Sequence, residues 1–342
     1  MAPAHQPTRS APRRMVLALT VGVIGVVGIL IGMGQGRAID SDMATAAPVP
    51  SIDPTAFRFD RLSDSSRTVV TDREGVVVAT FTDGARTVAV AGPLRTFAEP
   101  RFTPAAVRTA TWVRLAPQPW TAGAEQDPWV RPWLASALTD TGPDVLAVAM
   151  EYLHNAPDAM DEDEIRYAGN ASYGPRRSGG KRAEASDFYD YLGVAWQFSD
   201  GVREVPSDER YGAVDCSGYI RLVYGYRLGY PLLGGNTAGP GLPRRAFAMA
   251  VFGPGELVIQ DHGTRPFDLE KLQAGDLLFF TTDDEPGLDH SAIYLGRDSD
   301  GLHRFISSRA TPDGPTLGDM AGASVLDGGG YFAERFRAAR RI

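Results

Sequence analysis

Cys216 is the only cysteine among 342 residues. No internal disulfide can therefore staple the chain, and packing and hydrogen bonds must hold it. The residue stands in Asp215-Cys216-Ser217-Gly218, ahead of Tyr219-Ile220-Arg221-Leu222-Val223-Tyr224. An Asp followed by this run predicts a helix from Cys216 to about Leu228, with Asp215 as its cap. A thiol at a helix N-terminus meets unpaired N–H groups and the positive end of the dipole, so the expectation is a stabilised, nucleophilic thiolate. The bland alternative is a small buried hydrophobe. A free thiol with the motifs that follow favours the nucleophile.

Downstream come Gly275-Asp276-Leu277-Leu278-Phe279-Phe280 and Asp289-His290-Ser291-Ala292-Ile293-Tyr294-Leu295-Gly296. Both read as strands, and the second opens on a histidine. A lone Cys, then a strand, then a His is the set of parts a cysteine hydrolase needs. Of the five histidines (His5, His154, His262, His290 and His303), His290 is the candidate base. Asp276 reads as structural, bonding backbone at the strand start.

These three motifs together resemble the NlpC-type, papain-like peptidoglycan endopeptidases, over roughly residues 187–342. Tyr191-Leu192-Gly193-Val194-Ala195-Trp196 is similar to the segment preceding the family's cysteine helix. Gly330-Tyr331-Phe332 through Ala339-Arg340-Arg341 is similar to its closing strand. The resemblance implies an α+β, papain-like catalytic domain in which the Cys helix packs on a small antiparallel sheet. It implies a cysteine peptidase cutting peptidoglycan stem peptides between D-glutamate and a diamino acid, with no cofactor or metal. Cys216 would be the nucleophile, its backbone N–H the oxyanion donor, and His290 the base. Asp215, Ser217 and Trp196 would border substrate or the oxyanion, with Trp196 where the family often has a tyrosine.

The family also implies a polar third residue that orients the base, on the next strand. The hairpin turns at Asp298-Ser299-Asp300-Gly301; if 298 pairs with 301, then 292 pairs with 307. Side chains alternate along a strand, so Ser307 shares the face of His290 while Ser308 points away. His303 shares the face but lies nearer the turn. Ser307 is preferred, with His303 and Ser308 as alternatives. A serine is a weak orienter, so a catalytically weak or inactive wall-binding relative stands as a second reading, and a Cys–His amidase or acyl transferase as a third.

The rest of the chain sets the context. A net charge of −8 without a basic patch argues against nucleic acid as a partner. Arg9, Arg13 and Arg14 precede the uncharged apolar run Met15–Met33, so residues 1–34 read as a signal peptide or signal anchor that inserts in or crosses the membrane. That orientation predicts an extracytoplasmic protein of the cell envelope, anchored or secreted, and most simply a monomer. Residues 35–56 read as a linker. Residues 57–140 read as a small β-rich region from the runs at 68–70, 76–81, 87–90 and 109–115 with turns at 72–75 and 82–84. Its role is open between wall binding and a structural spacer. Residues 117–132 are expected to wrap the surface, and 143–154 and 186–193 to be helices. The acidic run 161–164 is expected to be a solvated loop, and 141–342 to form the catalytic domain.

Overall fold

A computed structural model describes residues 53–63, 66–283 and 287–342, which belong to one compact unit. The expected signal segment and most of the linker lie outside the described residues. Among the described residues, no helix is long and apolar enough to cross a membrane.

The β-branched runs make an antiparallel meander: β1 (Arg58–Arg61), β2 (Arg67–Thr71), β3 (Val77–Thr82), β4 (Thr87–Ala98) and β5 (Ala106–Leu115), in that spatial order. Asp72 makes the β2–β3 turn, its carboxylate accepting from the backbone N–H groups of Glu74 and Val76, with Gly75 at positive φ. Strand β4 runs further than its first apolar run suggests. It passes Pro93 at a register shift between Ala91 and Arg95, where the missing N–H removes no ladder bond.

Residues 117–132 do not simply wrap the surface. Trp120 is fully buried, its ring 4.2 Å from that of Phe81, and the chain then forms α1 (Val130–Thr139). With Phe57, Val70, Val88 and Leu134 they make one hydrophobic core. A short helix α2 (Val145–Met150) follows, capped by Asp144. The Asp144 carboxylate also receives the Arg95 guanidinium and the Val113 N–H, so it ties α2 to the long ribbon of β4 and β5.

Next come the hairpin β6 (Ala159–Met160) and β7 (Arg166–Ala168) and the helix α3 (Phe188–Leu192), boxed by Asp187 and Asp190. The acidic run turns between the two hairpin strands. A second hairpin joins β8 (Trp196–Gln197) and β9 (Arg203–Glu204). The cysteine helix α4 (Cys216–Ile220) then continues as one π-helical stretch, Arg221–Arg227, before α5 (Ala246–Phe252).

The second sheet contains β10 (Glu256–Ile259), β11 (Leu277–Phe280), β12 (His290–Arg297), β13 (His303–Arg309), β14 (Gly314–Thr316) and, after α6 (Tyr331–Arg335), β15 (Phe336–Arg341). Its order is β10-β15-β11-β12-β13-β14, all antiparallel, so the last strand of the chain is an inner one. Alternation divides its apolar side chains. Leu277, Phe279, Ile293, Leu295 and Ile306 share a core with Tyr219, Ile220 and Val223 of the cysteine helix. Leu278, Phe280, Ala292 and Phe305 share another with Phe332 and Phe336.

The two sheets are joined at several points. Phe97, Val107 and Val113 enter the core of the cysteine helix. Arg341 bonds both carboxylate oxygens of Asp276 (2.8 and 2.9 Å) and the Thr82 hydroxyl, and the Ile342 carbonyl accepts from the Thr87 N–H and hydroxyl. Asp276 also accepts from the backbone N–H of Gln273.

Candidate active site

Asp215 starts the cysteine helix. Its carboxylate accepts from the Gly218 N–H at 2.7 Å, the Ala185 N–H at 3.0 Å and the Ser217 hydroxyl at 3.1 Å. Arg244 lies behind it, 2.8 Å from Oδ2, and also donates to the Ser217 hydroxyl at 2.7 Å. Asp215 and Ser217 are thus occupied in holding the helix start. Gly218 is required there, because a Cβ would overlap the Ser186 carbonyl oxygen and the Asp187 backbone.

Cys216 sits at the first helical position and is only 6% exposed. Its thiol faces the Asp289 carbonyl, with Sγ 3.7 Å from the oxygen. It contributes to the wall of a cleft of about 520 Å³ lined also by Tyr173, Glu184, Arg245, Phe247, Asp283 and Asp289.

The electrostatics reverse the expected thiolate. Burial pushes the Cys216 thiol up to about 12, and the adjacent Asp215 carboxylate adds to the rise; Ser291 beside the sulfur pulls weakly the other way. The start of a five-residue helix does not outweigh the loss of water and a neighbouring anion. Burial also raises Glu184 and Tyr173, and charges in the same cleft reinforce both shifts: Asp215 most for Glu184, Cys216 most for Tyr173.

His290 opens β12, one residue from the carbonyl that meets the thiol. Its imidazole packs among aromatics, with ring centroids 5.8 Å from Phe280 and 5.5 Å from Phe332. Burial pulls it down to about 3, and the Arg309 cation works in the same direction. Nε2 is enclosed without a hydrogen-bond partner. Cys216 and His290 are therefore brought to neighbouring stretches of chain, while no hydrogen bond joins their side chains among the described residues.

The hairpin register places Ile293 opposite Ile306, the last pair of the two strands, and counting on in step carries Ala292 toward Ser307. A shift between Tyr294 and Gly296 means that the turn end is offset by one residue from the expected 298–301 pairing. Ser307 shares the face of His290, but its hydroxyl is buried and unpartnered. Ser308 points to the helix side and donates to the Val214 carbonyl at 2.6 Å. His303 bonds Asp327 and packs on Tyr294 at the far end of the strand pair, away from His290.

Trp196 is not at the cleft. It packs edge-on against Phe188 and Tyr226, and Tyr173 supplies the aromatic beside the cysteine instead. The aromatic side chains before the helix bury one another, which turns Trp196 away from the cysteine. Tyr173, Glu184 and Arg244 carry no periodic or spacing signal; they reach the site through irregular backbone. Among the described residues, no group of three or more His, Cys, Asp or Glu side chains is arranged to hold a metal ion.

Residues 206–310, which include Cys216, His290 and Ser307, match the NlpC/P60 family. No curated protein matches the chain. The family match makes a hydrolase of the cell-wall peptidase or amidase kind the general class, and peptidoglycan a fitting substrate.

Proposed function

We propose that the protein is an extracytoplasmic cysteine peptidase that cuts peptidoglycan stem peptides at the bond between D-glutamate and the diamino acid. The observation carrying this reading is the sole cysteine, at the first position of a capped helix, in the wall of a cleft and beside the strand that carries His290. Within it, Cys216 is the nucleophile and His290 the base. The resting pair is uncharged, since the thiol is held up and the imidazole down. Proton transfer from sulfur to imidazole then accompanies attack on the substrate carbonyl rather than preceding it. The tetrahedral oxygen is assigned to the backbone N–H of Cys216. Collapse expels the amine of the diamino acid, which takes the proton from His290, and water then hydrolyses the thioester to release the D-glutamate carboxyl and restore the Cys216 thiol.

The unpartnered Ser307 hydroxyl and Nε2 of His290 favour a second reading, a weakly active or inactive relative that binds wall peptide. Digestion of purified muropeptides followed by mass analysis tests both. The proposal expects free amines on the diamino acid and a new D-glutamate carboxyl. Amide loss at the sugar instead indicates an amidase, acyl exchange a transferase, and unchanged masses with retained binding the second reading.

A further inference from the structure

Three buried polar atoms without partners lie together on one face of β12 and β13: Nε2 of His290, Oγ of Ser307 and Nε of Arg309. The β12–β13 pairing runs as far as Ile293 and Ile306; counted on in step, it carries Ala292 toward Ser307 and His290 toward Arg309. Arg309 is 4% exposed, and its guanidinium lies 4.7 Å over the Phe332 ring against which the imidazole also packs. Its other nitrogens are fixed by the carbonyls of Gly322 and Gly318 and by the Ser324 hydroxyl.

Beyond Ser307 the same face continues to Thr316, its partner on β14. There the buried Glu99, from the end of the β4–β5 ribbon, accepts from the Thr316 hydroxyl at 2.6 Å and the Leu317 N–H at 2.9 Å. Oε1 of Glu99 is a fourth buried atom without a partner.

We propose that Arg309 and Glu99 are positioning residues for His290. Arg309 seats the imidazole against Phe332 and opposes its protonation, and Glu99 offsets the Arg309 charge from the first sheet. This rests on His290 being the base. The groups whose charges bear on the imidazole are Arg309 from β13, Asp289 from its own segment and Asp215 from the cap of α4. Phe280 and Phe332, against which it packs, carry no charge. Glu99 acts through Arg309, being the foremost charge that offsets the cost of burying that cation. An imidazolium must form as the thiol gives up its proton and attacks the substrate carbonyl, so the Arg309–Glu99 balance sets how readily it forms. Ser307 stands where the resemblance implies a stronger orienter and its hydroxyl bonds nothing, so this pair supplies the electrostatic control that the serine cannot.

The test is the titration of the His290 imidazole, followed by nuclear magnetic resonance in full-length Cys216→Ala protein, where no turnover is needed. Arg309→Met raises the midpoint by about one unit or more, and Arg309→Lys, which keeps the charge, restores it. An unmoved midpoint in Arg309→Met overturns the proposal. Should Arg309→Met not fold, Glu99→Gln decides: kcat falls about tenfold with KM little changed, as for an interaction felt only in the transition state. A kcat within about twofold of wild type there overturns it. Retained turnover in His290→Ala overturns the base assignment itself, a failure that the turnover-free titration keeps separate.

Discussion

Nη2 of Arg244 lies 2.8 Å from Oδ2 of Asp215, the carboxylate buried and the guanidinium largely so, behind Cys216. The pair keeps a carboxylate ionised at the residue that caps the cysteine helix. Asp215 is held below its ordinary value despite burial, with Arg244 the largest opposing influence. Its own charge in turn raises the thiol.

Removing the cation strands the anion. Arg244→Leu is expected to cost about 3–5 kcal/mol of stability, the usual penalty for an uncompensated buried charge. Chemical denaturation of wild type and variant checks this. A loss under about 1 kcal/mol would show that Asp215 is protonated or rehydrated at little cost.

His290 makes stability fall in acid. Its folded value, about 3, lies below the ordinary 6.5, so the unfolded chain binds the proton more tightly. The contribution is fully present above 6.5 and is lost as pH falls from there toward 3. The slope approaches about 1.4 kcal/mol per pH unit within that window. Denaturation midpoints between pH 7 and 4 should drop more steeply for wild type than for His290→Gln. Parallel curves would contradict the buried neutral imidazole.

Cys216 should react slowly with alkylating agents. With the thiol at about 12, little thiolate exists at neutral pH, so carboxamidomethylation should be slower than for a free cysteine and should accelerate as pH rises above 9. The thiol also contributes stability while it is neutral in the fold, a contribution present below about 9 and lost as pH rises toward 12. Rapid labelling at pH 7 would instead indicate a preformed ion pair with His290.

The two adjacent serines of β13 should separate. Ser307→Ala removes a hydroxyl that bonds nothing, so stability should change by less than about 0.5 kcal/mol and activity by less than about tenfold. Ser308→Ala leaves the Val214 carbonyl unpaired just ahead of the cysteine helix and should cost about 1–3 kcal/mol. Complete loss of activity in Ser307→Ala would assign that serine a direct role in orienting the base.

Much of this arrangement is legible in the residue order. Asp215 before Cys216 announces a capped helix, and period-two alternation from His290 to Leu295 fixes which side chains share a face. The hairpin register follows near Ser307 because the apolar faces enforce it, yet the bulge by Leu295 displaces the turn end. Helix α1 starts at Val130, and Trp129 ahead of it makes no capping side-chain bond, so no cap residue in the sequence marks its beginning. Trp120 reads as surface because its segment is rich in proline and tryptophan, although its stacking on Phe81 buries it. Its helix position alone predicts an acidic thiol for Cys216; the burial and the Asp215 charge that reverse this are tertiary facts.

Cys216 and His290 are proposed to perform one hydrolytic reaction together. Its most direct measurement is the rate of muropeptide cleavage by wild type, Cys216→Ala and His290→Ala, each confirmed folded by circular dichroism. Wild type should cleave, and both variants should lose cleavage to a similar depth, because a nucleophile and its base act as a unit. Cleavage that persists in Cys216→Ala would contradict it.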